Sequence, residues 1–555
     1  MRSLRTLALL ALTSLAAPRA AQAADGGAPP DAPVDGKRDD AGGAADVPGP
    51  GSCAMGAAVS EGDVIMAASP QPGAGFGVEL AQGGDVNRDG YGDLLVGEWR
   101  RSVGGARRSG AAHLYLGAES GLAGTPVLLA SPEPGSNDEL GAALAAGDVN
   151  GDGFVDVVVG AAGAATGGVA GGKVHLFLGG PGGLAASASW SASFEPEPGA
   201  SFGIAVLVAD VDGDGVGDVI VGADRATAAG VLRAGRVVVF RGAAGGPPSA
   251  PIEVLSPEPE QDAGFGASLA VLRARDGGRW LAVGASQATD ELAGAGRVYV
   301  FRASALGSAP LPLRPPVREL DGSFGFRLAS ADVNADGDDD LVVGADRAAA
   351  GRGAAYLFLG GPQGPAAAPA LQVTGDTAGA ALGSALAAGD LDGDGFAELL
   401  VGAPGATRVT PEGPVVTGRV LAFRGGPTIP ARPYLAIDGP APHGSFFGGS
   451  LALLAATARA PALLVVGADQ RVASSGPVGG VFTFRSCGLV RAPDGGSDAG
   501  VDGGPVDDGP RDGGVRRPPA PEGCGCQAGG AVRPPPLPSV LLVLAILRRR
   551  WHRSL

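Results

Sequence analysis

Positive charge is scarce in this sequence. Lysine occurs twice, at Lys37 and Lys173, and 41 basic residues against 57 acidic ones leave a formal charge of −16. Nucleic-acid binders need basic patches to neutralise phosphates, so no nucleic-acid partner is expected. Long apolar runs are also missing. The run Leu537 to Leu547 has eleven residues, where a bilayer span needs about 20. Histidine occurs four times, and neither a His-Glu-x-x-His zinc helix nor a phosphate-cradling loop is present. What the chain has in quantity is glycine (99) and proline (46), together with a hydrophobic fraction of 45%. That apolar content excludes wholesale disorder, and so much Gly and Pro in a folded chain marks the turns of a repeat.

The ends differ from the middle. Residues 1–23 carry Arg2 and Arg5, an apolar run from Leu7 to Ala17 and the small-residue site Ala21-Gln22-Ala23, which reads as a secretory signal peptide. Residues 24–52 form a Gly/Pro/Asp-rich leader too poor in large apolar side chains to fold. Residues 488–536 are a similar linker containing Cys524 and Cys526, and 537–555 combine the short apolar run with Arg548, Arg549 and Arg550.

Between them an aspartate phrase recurs: DVNRDGYGD (85–93), DVNGDGFVD (148–156), DVDGDGVGD (210–218), DVNADGDDD (332–340) and DLDGDGFAE (390–398). A Phe-Gly or Leu-Gly precedes each phrase and a Val-Gly follows it. Two further units, 264–286 and 446–469, keep that frame without the aspartates. Seven units over 53–487 have a mean length of about 62 residues. Within each unit the apolar segments are four to eight residues long and bounded by Gly, Pro or Asp, as in VELAQGGD, DLLVGE, AAHLYLG and PVLLAS. Four strands per unit and no helix predict an all-β chain, a seven-bladed β-propeller of four-stranded antiparallel blades. His113 and His175, 62 residues apart, then share one strand position in adjacent blades and read as strand-face residues.

Oxygen side chains at loop positions 1, 3, 5 and 9, with glycine at 6 for a sharp turn, suit a hard cation such as Ca²⁺. The side-chain sets are Asp85, Asn87, Asp89 and Asp93; Asp148, Asn150, Asp152 and Asp156; Asp210, Asp212, Asp214 and Asp218; Asp332, Asn334, Asp336 and Asp340; and Asp390, Asp392, Asp394 and Glu398. The position-7 carbonyls of Tyr91, Phe154, Val216, Asp338 and Phe396 complete them. An EF-hand would carry a bidentate Glu at position 12; here that position is Val96, Val159, Val221, Val343 or Val401. Five ions are expected, stapling their own blades. They would add ten charges and bring −16 to −6.

The Phe-Gly, DxDxDGxxD and Val-Gly-Ala features resemble the FG-GAP repeat of integrin α-subunit propellers. The resemblance implies seven blades with calcium in some, extracellular recognition, and partner contacts on the face opposite the calcium loops. On that face Trp99, Arg100, Arg101, Arg107 and Arg108 form an aromatic–arginine patch suited to carboxylates or sulfates. The tail's order of Cys motif, apolar stretch and basic cluster resembles the MYXO-CTERM sorting signals of myxobacterial surface proteins. This implies processing near Cys524 or Cys526 and display at the cell surface.

Aligning the repeats gives Cys53 and Cys487 a common place. Val64–Ala68 matches the outermost strand of a blade that has no preceding unit, so it should complete the seventh blade. A disulfide between Cys53 and Cys487 would then replace a peptide connection, favoured by export. The expected whole is a surface binding or adhesion module with an extracellular protein or polysaccharide ligand and membrane contact only through the tail. A lectin-like propeller and a structural surface component are the alternatives.

Overall fold

A computed structural model describes residues 59–486, apart from 247–249, 412, 441–445, 469–471, 474–475 and 478. All of these belong to a unit spanning Met1–Val490; a second unit, Arg491–Leu555, lies outside the described residues. The expected signal peptide, leader, linker and sorting tail, with Cys53, Cys487, Cys524 and Cys526, therefore also lie outside them.

The described chain is all-β: seven four-stranded antiparallel sheets arranged as the blades of a propeller. Blade 1 runs through Phe76–Gly84, Asp93–Glu98, Ala112–Tyr115 and Val127–Leu129. Blade 2 is Leu140–Gly147, Asp156–Ala161, Lys173–Phe177 and Trp190–Ala192. Blade 3 is Ala205–Ala209, Asp218–Ala223, Arg236–Phe240 and Pro251–Leu255. Blade 4 is Phe265–Arg273, Arg279–Ala285, Arg297–Arg302 and Leu311–Leu313. Blade 5 is Arg327–Ala331, Asp340–Ala345, Ala354–Phe358 and Leu371–Thr374. Blade 6 is Ala385–Gly389, Glu398–Ala403, Arg419–Phe423 and Leu435–Asp438. Blade 7 takes Ser450–Leu454, Leu463–Ala468 and Gly480–Ser486, and is completed by Val59–Ile65 from the start of the described chain.

That closing strand is antiparallel to Gly480–Ser486, pairing Val59 with Ser486 and Ile65 with Val481. The sequence places it at Val64–Ala68; the structure moves it a few residues towards the N-terminus, because the pairing partner runs on to Ser486. Two short helical turns, Ala303–Ala305 and Ala348–Gly351, interrupt the all-strand pattern.

Apolar burial is concentrated in seven clusters, one at each junction between neighbouring blades. The Phe or Leu of the Phe-Gly motif lies in the cluster shared with the preceding blade: Phe202 packs with Val174 and Leu176, and Phe324 with Val298 and Val300. Residues alternating along each buried second strand face opposite junctions, as a period of two requires. The glycine beside each such residue explains the spacing of the motifs. Gly141 sits at φ +89, and a Cβ there would meet the Ala111 carbonyl at 2.3 Å; a Cβ on Gly97 of blade 1 would meet the Gly141 carbonyl at 2.2 Å. Phe-Gly of one blade and Val-Gly of the one before are thus each other's packing partners. A third recurrent glycine, unremarked in the sequence, opens each third strand and makes a parallel bridge to the motif Phe or Leu, as Gly172 does with Phe202.

Candidate metal centres

Each aspartate phrase connects the first strand of its blade to the second. Position 6 has φ between +80 and +92 in all five (Gly90, Gly153, Gly215, Gly337, Gly395), a region an L-residue enters only with strain. The side chains fold back onto the loop's own amides. Both oxygens of the position-1 aspartate accept hydrogen bonds: Asp148 takes the Gly151 and Gly153 amides, each at 2.7 Å. Position 5 accepts from the amide of position 7, as Asp89 does from Tyr91 at 2.9 Å and Asp336 from Asp338 at 2.9 Å. Where position 3 is asparagine, its Nδ2 donates to position 5: Asn87 to Asp89, Asn150 to Asp152 and Asn334 to Asp336, all at 2.9–3.0 Å.

Position 9 opens the second strand and is fully buried in all five loops. Asp93 accepts the amides of Val86 and Gly117 at 2.8 and 2.7 Å. Asp156, Asp218 and Asp340 repeat the pattern with Val149 and Gly179, Val211 and Gly242, and Val333 and Gly360. Burial pushes Asp93, Asp156 and Asp340 up to about 6, against the pull of those amides and with a further push from the carboxylates at positions 1 and 5. Burial likewise raises Asp218, and takes Glu398 to about 7.

Two loops bring three acidic ligand atoms within 4.8 Å of one another: Asp210, Asp212 and Asp218 in blade 3, and Asp390, Asp392 and Glu398 in blade 6. These are the two phrases with aspartate at position 3. Blade 6 also answers the question of fit. The Glu398 Oε2 accepts the Leu391 amide at 2.8 Å, while Oε1 is buried without a hydrogen-bond partner, as is Asp392 Oδ1. A buried carboxylate oxygen left bare among other carboxylates costs free energy, and a hard divalent cation removes that cost.

Arginines surround the loops, and the sequence reading missed most of them. Arg241 pairs with Asp212 and Arg424 lies 3.9 Å from Asp392. From neighbouring blades, Arg459 donates to the Asp89 carbonyl, Arg88 to the Gly153 carbonyl, and Arg279 pairs with Asp210 at 3.0 Å. Arg275 of blade 4 reaches blade 5 and pairs with Asp338 at 3.4 Å. Blade 4 has no loop to fill. Its first two strands pair seven times, from Phe265↔Ala285 to Arg273↔Arg279, around a short turn. The buried Trp280 stands where position 9 would be, with Arg302 over its ring at 4.9 Å.

The opposite face carries the aromatic–arginine patch, and only part of it is available. Arg101 is bound to buried Glu98 at 2.9 Å, and Arg108 to Glu139 at 2.9 Å. Arg100 is exposed and lies over the Trp99 ring at 4.0 Å. Arg107 is exposed and makes no ion pair among the described residues. His113 and His175 are buried on their strands, bonded to Glu98 at 2.8 Å and Ser191 at 2.7 Å. The run Gly199-Ala200-Ser201-Phe202-Gly203 spells a hydrolase nucleophile pattern. Ser201, at φ +60, occupies a turn that recurs with Glu139, Ser323 and Ala381 at similar angles. The pattern thus falls on a turn that the propeller repeats in other blades.

A seven-bladed propeller with acidic loops on one face is the class of protein that these features define. The FG-GAP repeat model matches residues 140–177, 202–240 and 382–423, and an FG-GAP-like repeat model matches 332–401. Integrin alpha-IIb of Homo sapiens is 44% identical over 145 residues, 24% of this chain and 13% of that protein. Phosphatidylinositol-glycan-specific phospholipase D of Homo sapiens is 35% identical over 188 residues, 32% of this chain and 22% of that protein. Among solved structures, that of BBS1N in complex with ARL6DN aligns over 76% of this chain and 97% of its own, with a TM-score of 0.42 and 13% identity. The chain is thus a seven-bladed propeller that carries matches to the FG-GAP repeat and is similar in part to integrin α, and it spans less than a quarter of the curated relatives named.

Proposed function

We propose that this chain is exported and works as a calcium-stapled binding or adhesion module at the cell surface. In this reading Ca²⁺ is held by the side chains of positions 1, 3, 5 and 9 in the five aspartate loops, with the position-7 carbonyls. The observation that carries the metal assignment is the bare, buried Glu398 Oε1 facing Asp390 and Asp392. The ion supplies a compact double positive charge that pairs carboxylates otherwise crowded together. The chain's own residues hold the ligands in place: the amides of positions 2, 6 and 7 fix positions 9, 1 and 5 before any ion arrives.

Each loop ties two strands of one blade, so the metal's role is structural, and recognition falls to the opposite face. There Trp99, Arg100 and Arg107 offer stacking area and unpaired guanidinium groups, which suit an anionic protein segment or an acidic polysaccharide. Export and anchoring rest on the N-terminal segment and on Cys524, Cys526 and the basic tail. The activity named for the phospholipase relative is not carried over, since the matched stretch is 22% of that protein. The test is retention of cell-surface and matrix extracts by the immobilised chain, with and without calcium, alongside an array of acidic glycans. Calcium-dependent retention abolished by Arg100→Ala with Arg107→Ala is expected. Equal retention by that variant would remove the patch from the account.

A further inference from the structure

The residue at loop position 3 and the residue that follows the aromatic end of the third strand change together. In blades 1, 2 and 5 position 3 is Asn87, Asn150 or Asn334, and the residue after Tyr115, Phe177 or Phe358 is Leu116, Leu178 or Leu359. In blades 3 and 6 position 3 is Asp212 or Asp392, and the residue after Phe240 or Phe423 is Arg241 or Arg424. The structure brings the two positions together in the latter pair: Arg241 bonds Asp212 Oδ2, and Arg424 Nη2 lies 3.9 Å from Asp392 Oδ2. Counting positions 1, 3, 5 and 9 with this partner, an Asn/Leu loop holds three negative charges. An Asp/Arg loop holds four and one positive, the same sum.

Resting on the metal reading above, we propose that Arg241 and Arg424 are positioning residues that set the charge of the blade 3 and blade 6 sites. The propeller then has two kinds of calcium loop. In one, asparagine binds the ion neutrally and leucine covers the strand end. In the other, a fourth carboxylate is added and an arginine offsets it. In the metal-free chain the arginine limits repulsion among the four carboxylates; in the loaded chain it lowers the pull on the ion. The guanidinium groups are about half exposed (42% and 54%), so a water-like dielectric applies. A unit charge on the order of 6 Å from a divalent ion then changes affinity by about tenfold.

The test is hydrogen–deuterium exchange of the full chain, read peptide by peptide over a calcium titration, so that each loop reports its own midpoint. Arg241→Leu should tighten the midpoint of 210–218 by about tenfold and lower the metal-free melting temperature, leaving 85–93 and 148–156 unchanged. Asp212→Asn alone should weaken it. Asp212→Asn with Arg241→Leu, which recreates the other kind of loop, should return it close to the wild-type value, and Arg241→Lys should keep it. Arg424→Leu should do the same at 390–398. An unchanged or weakened midpoint in both leucine variants would overturn the proposal. So would failure of both to fold in saturating calcium, since the arginine is dispensable once the ion is bound. If no loop of the wild-type chain gains protection from calcium, the metal reading itself fails, which is a different result.

Discussion

His175 shows how a single buried side chain links this fold to pH. Its ring is buried on the third strand of blade 2, with Nδ1 bonded to Ser191 and Nε2 without a partner. Burial lowers its pKa from 6.5 to about 4, helped by the positive charge of Lys173. Between those values the unfolded chain takes up a proton that the folded chain refuses, so stability is full above about 6.5 and falls as pH drops towards 4. Against a His175→Gln variant, the wild type should lose about 3 kcal/mol between pH 7.5 and 4. Urea unfolding of both at several pH values measures this, and parallel pH profiles would contradict it. At this scale the sequence revealed the aspartate loops, because their side chains lie within nine residues of one another. It hid the arginines that oppose them: Arg241 is 29 residues from Asp212, and Arg279 is 69 from Asp210. Only folding makes those pairs neighbours. Arg101 and Arg108 were misleading for the same reason, since their partners Glu98 and Glu139 are set by blade packing.

Among elements, the decisive contacts are glycines at blade junctions. Gly141→Ala would drive a Cβ to 2.3 Å from the Ala111 carbonyl at a φ of +89. It should cost about 3 kcal/mol or more in chemical denaturation. Gly180→Ala meets nothing within 4 Å and should be near neutral; equal effects of the two would show that the junction is looser than described. Strand order and blade number were legible because Phe-Gly and Val-Gly recur in frame. The reason for their spacing was not, because each motif packs against its counterpart in the next blade. Blade 4 keeps the Phe-Gly and Val-Gly frame without the aspartates. Instead its first two strands run on into a closed hairpin, and Asp290, buried in the same blade, is surrounded by Arg297, Arg314 and Arg318.

The described propeller is a ring closed by strands from opposite ends of the described residues. Val59–Ile65 completes blade 7, with Thr483 Oγ1 bonded to the Asp63 carbonyl at 2.9 Å. A chain begun at Met66 leaves Gly480–Ser486 as an open edge and should unfold in two steps, where the full chain unfolds in one. A single transition of unchanged midpoint would show that closure is dispensable. Cys53 and Cys487 flank the paired Val59 and Ser486. Mass mapping without reduction should recover their peptides linked, and free thiols at both would end the proposed disulfide. Five loops, and not seven, are expected to carry metal. Native mass spectrometry of the chain in saturating calcium, after complete chelation and reloading, tests this most directly. Five bound ions per chain is the expected result; seven, or fewer than four, would contradict the account.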